Sequence, residues 1–322
     1  MRRTFKAGRA GATWPVSRQI SSYLNRGVQR AKAGLASSLL SAAVALCVPQ
    51  PTQAETPVHR SMAREATDLA TGFVEPLVAT KPTTQKEDRE LRRAVALYQR
   101  RSNPDDFRSI TTYLSAHPNS GWRAALLTNL GLTYLHYGYF SRAIDAWEEA
   151  WRAGRDATDL RAKALVDRAV GELVRLHAQL GHVDRVASLL HEIGDRPITG
   201  SATEAVQTAR DTLWVMRNDP RHLYLCGPMA LRTLLLGRGA PYEEVRFLDR
   251  YRTGPKGVSL AEVARLAELA KLPYQPIFRK PDEPVPIPSV VHWKVGHFAA
   301  IVSEARGRYF VKDPVLGPDT IL

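Results

Sequence analysis

The run Cys226-Gly227-Pro228-Met229-Ala230-Leu231-Arg232-Thr233-Leu234-Leu235 decides how the last third of this chain is read. Apolar side chains recur at helical spacing behind a cysteine, a glycine and a proline, and proline suits the first helical position. The spacing predicts a helix over 227–236 with Cys226 at its mouth. Helix starts carry unpaired N–H groups and the positive end of the dipole, a setting that favours thiolate over thiol. A lone thiol there is either a buried small hydrophobe or a nucleophile. The 322 residues hold only one other cysteine, Cys47. It lies in a segment expected to be removed, so no internal disulfide is expected in the mature chain.

Beyond this helix the texture is α+β. A second helix is expected over 241–251, then the turn Thr253-Gly254-Pro255. Ser259-Leu260-Ala261-Glu262 reads as a capping box that opens a third helix. Strand signals follow at Tyr274–Arg279, Ser289–Trp293, His297–Val302 and Arg308–Lys312. The four prolines between Lys280 and Pro288 demand an exposed loop. A nucleophilic cysteine needs a general base beside it and a third group that orients the base. With a hairpin turn centred on Ala305, antiparallel partners sum to 610, which sets His297 opposite Asp313 and Ala299 opposite Val311 on one face. His297 is therefore the candidate base and Asp313 the candidate orienting group. Their blander alternatives are a strand-start histidine and an Asp-Pro turn. His292 lies five residues before His297, but no cysteine or carboxylate cluster accompanies it, and no metal or cofactor is expected.

Towards the amino terminus the pattern is helical from Gln85. Leu127, Leu130-Gly131, Tyr134, Gly138, Ala143, Trp147 and Ala150 sit at the offsets of a tetratricopeptide unit. Small residues let two antiparallel helices approach, large ones fill the space between them, and Gly138 closes the first helix. A degenerate second copy runs through Leu173, Leu176, Gly181, Val186, Leu190 and Ile193. Such a solenoid is either a spacer or a surface for a protein partner. His177, His182 and His191 lie on it and are expected to be solvated, and Arg100-Arg101 marks a helix end. A further helix is expected over Thr203–Met216.

The net charge of +13 is concentrated at the start. Residues 1–54 hold eight of the 45 lysines and arginines and no acid, leaving 37 basic against 32 acidic side chains. That dispersed remainder, without basic runs interleaved with aromatics, argues against nucleic-acid binding. The basic lead, the apolar run 33–48 and the small residues before Ala54 predict a signal peptide over 1–54. The protein is expected to be exported to the periplasm, cell surface or medium, with no membrane span in the mature chain. It is membrane-anchored if the signal is not cleaved. The expected domains are a polar lead-in (55–85), a helical repeat domain (86–200) and an α+β domain (210–322).

Cys-Gly-Pro-x-Ala-Leu at 226–231, Val-Val-His-Trp at 290–293, His297-Phe298 and Asp313-Pro314-x-x-Gly317 together resemble the bacteriocin-processing, double-glycine-leader cysteine peptidases of the papain-like superfold. The resemblance covers about 215–322. It implies a thiol protease with Cys226 as nucleophile, His297 as base and Asp313 as orienting residue. The substrate implied is a peptide with glycines near the cut, or the enzyme's own longer precursor. With the signal and the tetratricopeptide-like helices, it also resembles the front end of large bacterial cell-surface proteins. Such peptidases carry a glutamine shortly before the nucleophile as an oxyanion donor. Positions 217–225 contain none, which leaves Asn218 and His222 as candidates and a non-catalytic peptide-binding or scaffold module as the alternative. Domains of this kind also carry further strands, so the one ending at Leu322 is expected to be incomplete.

Overall fold

The computed structural model describes residues 72–220, 223–254, 256–280, 283–313 and 315–321. The expected signal segment 1–54 and Cys47 lie outside them, as do the first residues of the lead-in and His222. The described residues belong to one compact unit, Glu55–Leu322. Among them, ten helices precede a four-stranded sheet, an α-rich region followed by a small α+β subdomain.

The α-rich region runs α1 (Gln85–Gln99), α2 (Arg108–Ala116), α3 (Arg123–His136), α4 (Phe140–Gly154), α5 (Leu160–Gln179), α6 (Val183–Ile193) and α7 (Ala202–Asn218). Thr84 and Asp159 start α1 and α5, their side-chain oxygens accepting N–H groups of the first turn. Gly138 and Gly181 reverse the chain between α3 and α4 and between α5 and α6, with φ of 74° and 77°. Those angles suit glycine because other residues clash there. A Cβ on Gly131 would lie 2.6 Å from Trp147 Cε2, so the bare glycine lets the fully buried indole of α4 lie on α3. Trp147 Nε1 donates to the Thr128 carbonyl at 3.2 Å. The 20-residue length of α5 accounts for the wide spacing of the two turn glycines. Arg101 ends α1 by donating to the Tyr98 and Pro104 carbonyls.

The α+β part begins with α8 (Cys226–Gly237), α9 (Tyr242–Asp249) and α10 (Leu260–Leu269). The Ser259–Glu262 capping box of α10 has both its reciprocal hydrogen bonds, at 3.2 and 2.7 Å. The sheet is an antiparallel meander in the order β1 (Ser289–Trp293), β2 (His297–Ala305), β3 (Arg308–Asp313) and β4 (Gly317–Ile321). Phe298 and Ala300 of β2 enter the core under α8 with Leu231, Leu234 and Val263. Ala299, Ile301 and Val311 form a small cluster with Trp293 and Tyr309 on the other face. Trp293 meets Phe140 of α4 edge-on at 6.3 Å.

Three local expectations are corrected. Tyr274–Arg279 forms no strand: Pro273 and Pro276 remove ladder donors, and Ile277 and Phe278 point into solvent. The β2–β3 turn is the two-residue Arg306-Gly307, both at positive φ, and not a turn centred on Ala305. Partners next to this turn sum to 613, as in Ala305 with Arg308, and the irregularity between Ile301 and Ser303 shifts the register by one, so partners near the site sum to 612, as in Ala300 with Lys312 and Ile301 with Val311. His297 and Asp313 are thus diagonal neighbours, not opposite ones. The error is two residues, and an even offset leaves both on one face. β4, which pairs with β3, adds a strand beyond those expected.

Candidate functional site

Cys226 is the first residue of α8 and is half-buried, with no disulfide partner among the described residues. The first hydrogen bond of the helix runs from the Met229 N–H to the Leu225 carbonyl, so the N–H groups of 226 and 227 precede the ladder. Pro228 is the third residue of the helix, not the first, and still lacks only an N–H that no intrahelical acceptor would meet. Gly227 is packed rather than open. A Cβ there would lie 2.6 Å from Val258 Cγ2 and 2.8 Å from Val263 Cγ2, so glycine seats the helix mouth against these side chains. Ala230, Leu231 and Leu234 then bury the inner face of the helix.

His297 opens β2 and Asp313 closes β3, each 2% exposed. His297 Nε2 and Asp313 Oδ2 are 2.7 Å apart. The other carboxylate oxygen, Oδ1, accepts the Val315 and Leu316 N–H groups at 2.9 and 3.0 Å. A carboxylate only accepts, so Nε2 carries the hydrogen and Nδ1 is the nitrogen left to face outward. Cys226 packs against the cluster that contains Phe298, the neighbour of His297, and its thiol is among the groups that act on this imidazole. Burial alone pushes the His297 pKa down, but the hydrogen bonds to Asp313 and Cys226 and the charges of both outweigh it and raise it to about 9. The structure therefore brings an imidazole and a buried carboxylate together in the subdomain that carries a thiol at a helix start. Such an arrangement can move a proton from sulfur to nitrogen and hold the resulting cation.

The remaining candidates fall elsewhere. Asn218 is exposed at the end of α7, its Nδ2 donating to the Trp214 carbonyl of the same helix at 2.7 Å. His222 lies outside the described residues. The exposed His292 stacks on Phe298, with ring centroids 4.2 Å apart, and its pKa is lowered by burial and by the charge of His297. Among the described residues no group of three or more His, Cys, Asp or Glu side chains is placed to hold a metal.

Of His177, His182 and His191, not all are solvated. His191 is exposed, but His177 is 3% exposed, and burial, His182 and Arg185 lower its pKa to about 4. His177 Nδ1 meets His182 Nδ1 at 2.8 Å, and His182 Nε2 meets the Val295 carbonyl at 2.9 Å, two residues before His297. Sequence carries no signal for this contact, which joins residues 113 positions apart. Away from the site, a groove of about 800 Å³ crosses α2, α3 and α4, lined by Leu127, Leu130, Tyr134, Arg123 and Arg142. No protein-family model, no curated protein and no solved structure matches this chain.

Proposed function

We propose that this protein is an exported cysteine peptidase whose α+β part is papain-like and whose α-rich part is a tetratricopeptide-like repeat. Cys226 sulfur attacks the scissile carbonyl while His297 Nδ1 takes the thiol proton, and Asp313 holds the imidazole by its Nε2–H. The imidazolium then returns that proton to the leaving amine, and water hydrolyses the thioester. The Cys226 backbone N–H, ahead of the α8 ladder, serves as one oxyanion donor. The single observation that carries this reading is the buried 2.7 Å His297–Asp313 bond beside a thiol at a helix start. The substrate is a peptide, with glycines near the cut by the resemblance above, or the enzyme's own precursor. The α2–α4 groove is available to a protein partner. The basic and apolar run of residues 1–48 supports export.

One observation favours a second reading, a peptide-binding module on the same fold. The Asn218 amide is committed to its own helix, and loss of one oxyanion donor typically lowers turnover about a hundred- to a thousandfold. Iodoacetamide alkylation of Cys226 at pH 7 tests the peptidase reading. The rate is expected to fall about tenfold in His297→Ala; equal rates in both proteins would remove the basis for it.

A further inference from the structure

We propose that the α5–α6 turn, Gln179 to His182, clamps the site and that His182 is a positioning residue for it, an inference that rests on the cysteine-peptidase reading above. The turn touches the chain two residues from each of Cys226, His297 and Asp313. Ahead of the cysteine stands Tyr224, with its backbone in the left-handed region at φ 61°. Its ring covers Gly181 so closely that a Cβ there would sit 2.6 Å from Tyr224 Cδ1. Ahead of the histidine stands Val295, whose carbonyl meets His182 Nε2 at 2.9 Å. Past the aspartate stands Val315, whose carbonyl accepts from Gln179 Nε2 at 3.5 Å, the weakest of the three contacts. Val295 and Leu316 also pack against the core of the α-rich region.

The tautomers follow from chemistry. A carbonyl only accepts, so His182 Nε2 carries a hydrogen and, in the neutral ring, Nδ1 accepts. His177 Nδ1–H must then be the donor of the 2.8 Å bond between the two rings. That leaves His177 Nε2 as a bare lone pair, and it is buried without a hydrogen-bond partner among the described residues. His182 is thereby locked at both nitrogens, one end on α5 and the other on the turn that leads into His297. Seventy residues of chain separate Cys226 from His297. A single turn that abuts both lead-in segments fixes their separation, and displacements of about 1 Å can cost a hundredfold in rate.

The test uses the full chain and alkylation of Cys226 by iodoacetamide as a function of pH. His182→Ala is expected to slow alkylation at pH 7 about tenfold and to give it the pH profile of His297→Ala, with the helical circular dichroism retained. His182→Gln can donate to Val295 and accept from His177, and is expected to stay within threefold of wild type. His182→Asn is one methylene shorter and is expected to behave as the alanine variant, which keeps the test open should alanine impair folding. Wild-type rates in the folded alanine or asparagine variant, with His297→Ala slowed, would overturn the clamp. Unslowed His297→Ala would instead refute the peptidase reading itself.

Discussion

Replacing Asp313 by asparagine separates its two tasks. Its Oδ1 accepts two backbone N–H groups, and its Oδ2 accepts from His297. Asparagine has one acceptor oxygen for these three donors. Kept on the two amides, it turns its NH2 towards His297, whose Nε2 must then be the bare nitrogen and Nδ1 the protonated one. An imidazole in that tautomer cannot take the Cys226 proton, although the backbone turn survives. An ordinary thiol is only about 3% thiolate at pH 7. A base that takes its proton can therefore raise the thiolate population by at most about thirtyfold, which is the ceiling on the rate lost when that base is disabled. Within that ceiling, Asp313→Asn is expected to lose about tenfold in alkylation rate at pH 7 and about 1 kcal/mol of stability. Asp313→Ala is expected to match that rate loss and to lose about 3–5 kcal/mol, since it breaks a buried pair and orphans two amides. Urea denaturation and alkylation kinetics on the two variants check this. Wild-type alkylation in Asp313→Asn, or equal stability losses in the two variants, would refute the reasoning.

Two further outcomes follow from the α-rich region. His177 has a folded pKa of about 4 against 6.5 unfolded, so the unfolded chain binds more protons between these values. Its contribution is complete above about pH 6.5 and is lost on acidification towards pH 4, on the order of 3 kcal/mol. His177→Leu should flatten that acid limb of the urea stability curve, and an unchanged limb would contradict it. Gly131→Ala places a methyl against the Trp147 indole and is expected to cost about 2 kcal/mol in thermal unfolding, with Cys226 alkylation of the folded protein unaltered.

Much of the fold was legible because it rests on local chemistry. The capping box at Ser259, the turn glycines 138 and 181 and the Gly131–Trp147 packing each follow from short-range pattern. The same holds for placing Cys226 at a helix mouth. The run 274–279 misled because its aromatic and β-branched residues read as strand while flanking prolines bar a ladder. The hairpin offset was missed because positive φ at Arg306 carries no sequence mark. The irregularity between Ile301 and Ser303, equally unmarked in sequence, took back one residue of that offset, so parity survived and His297 and Asp313 remained on one face. The burial of His177 and the reach of His182 to Val295 were not legible at all, for they arise from packing between distant segments.

The most direct test of the central claim is mass spectrometry of cleaved products after incubation with a diverse peptide library, comparing the full chain with Cys226→Ala. New peptide termini are expected with the wild-type protein, some as a thioester at Cys226 when the reaction is quenched in acid, and none with the alanine variant. The same termini at the same rate from Cys226→Ala would contradict the assignment of Cys226 as nucleophile.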